Sequence, residues 1–258
     1  MEANTPPGER PPRTMTGVVA ASNEYLAATE AIIDAAIARR TDFARLAATC
    51  LARAAQSLMS VTHLAQLGLI GDSMSVARTI VELTIDLGYI ATDPDRLIPM
   101  FIDYAHVRNW ELAQAADRLH GGTFNRDAMQ VLRERHETYV EQNPNSDRNW
   151  AGRGLRWRAE RVAGTDATRA QHVQLYELLY ADMCGASHSG YTTLKYTLVG
   201  EPNAPTIHFG PIEPDSNPIM LAFTALLNMI KTTAERCELE GFEDRFNRLN
   251  QLLLDAGR

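Results

Sequence analysis

Lysine is almost absent from this chain, with two residues against 23 arginines, and cysteine is confined to Cys50, Cys184 and Cys237. Three cysteines, odd in number and far apart, give neither a disulfide framework nor a CxxC zinc pattern, so a reducing cytoplasm is the expected compartment. Long apolar runs are missing too. The most apolar late stretch, Ile219 to Ile230, is interrupted by Asn228 and falls short of the roughly 20 residues that span a bilayer, so no membrane partner is expected. The opening MEANTPPGERPPR lacks the apolar core of a secretory signal, and residues 1–16 read as a disordered tail before a single helical domain over 17–258. There is no HExxH pair, no glycine-rich phosphate loop and no GxSxG elbow, which sets aside the common zinc-hydrolase, P-loop and serine-hydrolase chemistries. A net charge of −7 over 258 residues disfavours a protein that coats nucleic acid with its whole surface.

What is present is helical periodicity. Apolar residues recur at three- and four-residue intervals over 17–40 and 42–68, divided by the capping pair Thr41-Asp42. A third helix is expected from Gly71-Asp72-Ser73 to about Thr92, a fourth over 96–119 and a fifth over 124–141, with 148–165 irregular or briefly helical. Thr165-Asp166 caps a sixth. The β-branched runs 194–199 and 206–209, parted by Gly200-Glu201-Pro202-Asn203, read as a short hairpin. Asp215-Ser216-Asn217-Pro218 opens a seventh helix, and an amphipathic segment follows Gly241. The expected fold class is all-α, a bundle of seven to eight helices with one short β-hairpin insertion.

The third helix carries the first candidate chemistry. Val76, Ile80, Leu83, Leu87 and Ile90 make one apolar stripe, and Ile85 and Tyr89 extend another. Arg78 and Glu82, four residues apart, sit one above the other on that second stripe and so face protein. A desolvated Arg–carboxylate pair is a poor source of stability, which invites a functional explanation; the plainer alternative is an i,i+4 bridge at the rim worth a few tenths of a kcal/mol. The second candidate is Tyr180-xxx-Cys184-xxx-His188, with Ser187 and Ser189 beside the imidazole. His188 suits acid, base or phosphate-ligand work near neutral pH, although a lone histidine is more often structural. For Cys184 as a nucleophile the sequence supplies neither a lowered pKa nor an oxyanion hole.

The third is the run Arg148 to Arg161, which holds five arginines, one glutamate and two tryptophans. Arginine interleaved with aromatic rings suits phosphates and stacked bases; alternatively it neutralises acidic surface while Trp150 and Trp157 fill the core. The pairs Asp103/His106 and Asp117/His120 have the spacing of helical metal ligands, but lie about 21 Å apart on one helix, so no metal site is expected.

The runs ARTIVELTIDLGYIATDPDR, NWAGRGLRWRAERVAG and YELLYADMCGASHSGY resemble the bacterial helical family designated domain of unknown function 5677, over roughly residues 55–230. The family pattern, an Arg-xxx-Glu, a Trp-x-Gly and a terminal His with a small hydroxyl residue one turn earlier, falls here on Arg78 and Glu82, Trp150 and Gly152, and His188, with Cys184 replacing the hydroxyl residue. The resemblance implies an all-helical fold similar to the HEPN nucleotide-binding and RNA-cleaving bundles, and no assigned activity. The HEPN ribonuclease motif, an Arg four to six residues before a His, occurs at none of the seven histidines.

Three functions fit. The first is a binding or regulatory module, dimeric in one version, whose Arg78–Glu82–His188 pocket takes a small anionic or nucleotide-like ligand, with Tyr180, Cys184, Ser187, Trp150 and Arg153 contributing to ligand binding and no cofactor needed. The second is a metal-independent, HEPN-like nuclease of a defence system acting on RNA, with His188 as acid or base and Arg78 stabilising charge on phosphate. The third is a buried polar network that fixes helix register.

Overall fold

The computed structural model describes residues 15–122, 125–144, 146, 149–180, 198–201, 204–207 and 214–256. The architecture is all-α. Helices α1 (Met15–Ala38), α2 (Asp42–Gln66) and α3 (Ile70–Ile90) follow one another through short links, then α4 (Pro94–Asp103), α5 (Ala105–Leu119) and α6 (Arg126–Gln142). After these come the single turn α7 (Leu155–Ala159), α8 (Asp166–Gln174) running into a π-helical turn at Leu175–Tyr180, and finally α9 (Asn217–Arg236) and α10 (Glu243–Ala256). Residues Leu198–Glu201 (β1) and Ala204–Ile207 (β2) pair antiparallel, Val199 opposite Thr206. The rest of the 194–209 segment lies outside the described residues.

The caps read from sequence are made. Thr41 Oγ1 accepts the Ala44 N–H at 3.1 Å, Thr165 Oγ1 accepts the Thr168 N–H at 3.2 Å, and Pro218 stands in the first turn of α9. One expected helix, 96–119, is divided. Pro99 removes an N–H inside α4, and the chain re-enters helix at Tyr104, whose carbonyl is shared by the N–H groups of Val107 at 3.0 Å and Arg108 at 3.4 Å. With that division and the added turn α7, the described residues hold more helical segments than the seven to eight expected.

Helices α1, α2, α3 and α9 enclose the core. Leu51, Leu58, Ile80, Ile85, Leu87, Ile90 and Phe223 are fully buried, each contributing about 1.5–3 kcal/mol by leaving water. Tyr25 stacks on Phe223 with centroids 4.3 Å apart, and its hydroxyl donates to the Leu249 carbonyl at 3.1 Å, fastening α10 to α1. Ser73 Oγ donates to the Val61 carbonyl at 2.9 Å, linking α3 to α2. No described helix is long and apolar enough to cross a membrane.

The central helix is α3, with α2 and α9 on its apolar faces and α7 and the π turn on its polar one. Gly88 permits this. A Cβ there would stand 3.0 Å from Val162 Cγ1 and 3.3 Å from His172 Nε2, and the Gly88 carbonyl accepts the Ala163 N–H at 2.9 Å. Gly88→Ala is expected to lower unfolding free energy by about 1–3 kcal/mol, by forcing the 162–163 segment off the helix. Denaturant titration checks this, and an unchanged midpoint would mean that the segment withdraws without penalty.

A polar strip on the central helix

The π turn at the end of α8 carries Tyr180 to the α3 face that presents Arg78 and Glu82. Arg78 Nε donates to Glu82 Oε1 at 2.8 Å, an Arg78 Nη donates to the Tyr180 hydroxyl at 3.0 Å, and that hydroxyl donates to Glu82 Oε1 at 2.9 Å. The three groups close a triangle, with the guanidinium carbon 4.9 Å from the Tyr180 ring centroid and Tyr176 stacked on Tyr180 at 5.3 Å. Charge-assisted bonds from two directions fix the guanidinium plane. Side-chain exposures of 23% for Arg78 and 37% for Glu82 leave the triangle half open to solvent. π turns recur at functional positions because the wider turn re-aims the residues it carries.

One turn further along α3, Asp86 continues the strip into the interior. Its carboxylate lies 2.8 Å from Arg158 Nε and accepts the Trp150 indole N–H at 3.2 Å, with only 8% of the Arg158 side chain and 14% of the Asp86 side chain exposed. Among the described residues Asp86 Oδ1 and Arg158 Nε are nonetheless both without a directed hydrogen bond; they touch as charges, so the pair keeps its Coulomb attraction and loses part of its directional energy. Arg158 uses Nη1 on Asn149 Oδ1 at 3.3 Å and on the Arg153 carbonyl at 3.2 Å, and its guanidinium lies 5.4 Å from the Trp150 ring. Burial pushes the Asp86 carboxyl up to about 6, against the lowering by Arg158 and by the Trp150 N–H and with a further rise from Glu82. Cys50, on α2, is raised to about 12 by burial and by Asp86, which leaves its thiol unreactive.

The other candidates fall in several places. Trp150 is in the core, edge-on to Phe101 at 5.1 Å and tilted against Tyr89 at 5.9 Å. Arg153 is exposed, 5.7 Å from the Trp157 ring centroid. Cys184, Ser187, His188 and Arg148 lie outside the described residues. The basic run is largely compensated: Arg158 is buried on Asp86, Arg156 reaches Glu177 at 2.9 Å and Glu160 at 3.5 Å, and Arg161 reaches Glu160 at 3.3 Å while lying 4.1 Å from the Trp157 centroid. Among the described residues no group of three or more His, Cys, Asp or Glu is placed to hold a metal ion.

Two participants escaped the sequence reading. Asp86 stands four residues beyond Glu82, so the Arg78–Glu82 ladder had a third rung in plain view. Its partner Arg158 is one arginine among five in the basic run, and nothing local distinguishes the one that turns inward. His172 is also buried. Its Nδ1 lies 2.9 Å from the Thr168 carbonyl, which makes Nδ1 the protonated nitrogen, while Nε2 has no partner among the described residues and burial lowers the pKa of the ring.

The fold and the strip define a helical protein with a polar cluster let into its central helix. The chain belongs to the family of unknown function DUF5677, whose model matches residues 44–205, from α2 through β2. The match covers more than half of the chain and takes in Arg78, Glu82, Asp86, Trp150, Arg158 and Tyr180. No curated protein and no solved structure matches it.

Proposed function

We propose that the chain is a binding module whose half-open Arg78–Glu82–Tyr180 triangle receives a small anionic or nucleotide-like ligand. The observation that carries this reading is the gradient along one face of α3. The Asp86–Arg158 pair is buried, and one turn away a second ion pair of the same helix is held rigidly at 23% and 37% exposure beneath a tyrosine. An anionic group on Arg78 takes the place of the Tyr180 hydroxyl, and a ligand donor satisfies Glu82. His188, on the segment that follows Tyr180, is the residue we assign to complete the pocket as a ligand to the anionic group.

The test is a thermal-shift screen of the purified chain against nucleotides, short RNAs and small carboxylates and phosphates, repeated with Arg78→Ala and His188→Ala. Ligand at 100 times its Kd raises stability by about 2.7 kcal/mol, and both variants are expected to lose that gain while keeping most of their own stability. A gain retained in Arg78→Ala would remove the triangle as the binding site. A structural reading is favoured by one observation only, the Trp150 and Arg158 contacts with Asp86, which pin residues 149–163 on α3.

A further inference from the structure

At the far end of α3 the chain builds a second charged concavity. A cleft of about 550 Å³ is walled by Thr92 after the helix, by Glu160 and Arg161 after α7, by Arg169 on α8 and by Arg236 in the last turn of α9. Three arginines from three segments meet two carboxylates there, Glu160 in the wall and Asp166 on Arg169, in a chain whose net charge is −7. Ala91 ends α3 thirteen residues after Arg78, which puts this cleft about 20 Å from the triangle.

Arginines beside a helix C-terminus ordinarily serve the orphan carbonyls there. Here those carbonyls are already satisfied. The Leu87 carbonyl accepts the Ala91 N–H at 2.9 Å, and Gly88 accepts Ala163 at 2.9 Å. Tyr89 accepts the Thr92 N–H at 3.0 Å and its hydroxyl at 2.7 Å, and Ile90 accepts Asp93 at 3.2 Å. The guanidiniums are therefore not needed as caps. Arg161 is laid on the Trp157 ring at 4.1 Å, which fixes its plane, and shares Glu160 with Arg156. Arg169 is anchored by the Gly164 carbonyl at 2.7 Å and Asp166 at 2.5 Å. The Arg236 side chain is exposed and makes no hydrogen bond or ion pair among the described residues.

We infer that this cleft is a binding site for a di- or triphosphate group, held by Arg161, Arg169 and Arg236. Guanidinium forks from three segments suit the oxygens of a polyphosphate, and a multiply charged anion is what competes with Glu160 on Arg161 and Asp166 on Arg169. The concavity is open on its solvent side, so its walls admit an anion longer than a single phosphate. The site is independent of the triangle.

The experiment is calorimetric titration of the intact chain at low ionic strength with inorganic pyrophosphate, and in parallel with ATP. Saturable binding at one site per chain is expected, weakened about tenfold or more in Arg236→Ala and in Arg169→Ala. It is expected to be unchanged in Arg78→Ala, which separates this site from the triangle, and in the surface control Arg45→Ala. Circular dichroism confirms that each variant is folded, and because the exposed Arg236 side chain makes no hydrogen bond or ion pair among the described residues, its variant keeps the test valid if Arg169→Ala unfolds. Tighter binding of ATP than of pyrophosphate adds a nucleoside contact; equal binding confines recognition to the phosphates. Absence of saturable binding to the wild type, equal loss in Arg45→Ala, or loss in Arg78→Ala but not in Arg236→Ala would each overturn the assignment.

Discussion

Arg158→Met is expected to cost about 3–5 kcal/mol of unfolding free energy at pH 7, the range found when one member of a buried ion pair is removed. The Asp86 carboxylate then stays buried with only the Trp150 N–H, and the Asn149 side chain and Arg153 carbonyl lose the donor that orders the 149–158 loop. The double variant Asp86→Leu/Arg158→Met removes both charges and is expected to recover most of the loss, because apolar replacement of a buried pair is often neutral or stabilising. Denaturant titrations with matching m-values provide the comparison. A single variant within about 1 kcal/mol of wild type would show that water reaches Asp86 and that the pair is not buried in solution.

The second large effect is a pH dependence with an unusual sign. The Asp86 carboxyl moves from an ordinary 3.8 to about 6 in the folded chain, because burial outweighs Arg158. A group whose folded pKa is raised binds its proton more tightly when folded, so its contribution to stability is complete below about 3.8 and is lost as pH climbs through about 6. A rise of roughly two units corresponds to about 3 kcal/mol across that window. His172 works the other way: burial lowers its pKa, so its contribution is present above about 6.5 and is lost as pH falls through the lowered folded value. Unfolding free energies measured from pH 4 to pH 8 are expected to decline through the Asp86 window in the wild type relative to Asp86→Leu/Arg158→Met, which lacks the group. Parallel curves, or a carboxyl titration of Asp86 centred near 4 by NMR, would contradict the burial argument.

How much of this was legible in the sequence depends on the range of the interaction. Helix existence, the caps at Thr41 and Thr165, the proline entry of α9 and the inward face of Arg78 and Glu82 all follow from periods of 3.6 residues and from local hydrogen bonds. The break at Tyr104 was hidden because Pro99 stands five residues upstream of the interruption. Tyr180 was expected in the pocket of Arg78, 102 positions away, and the structure brings the two into contact. The inward turn of Arg158 depends on Asp86, 72 positions earlier, a pairing set by how helices pack, which no local pattern records. The cleft at the end of α3 was likewise invisible, since Arg161, Arg169 and Arg236 come together only in the folded chain.

We propose that the triangle of Arg78, Glu82 and Tyr180 is kept for binding and contributes little to stability. The most direct measurement is the unfolding free energy of Arg78→Met/Glu82→Met beside that of the wild type, with the ligand screen run on both. If the claim holds, the double variant is within about 1 kcal/mol of wild type or more stable, as for residues whose charge serves a site, and it no longer responds to any ligand that stabilises the wild type at the triangle. A loss of about 3 kcal/mol or more, with no ligand response in the wild type, would make the triangle a structural clamp for the π turn and contradict the claim.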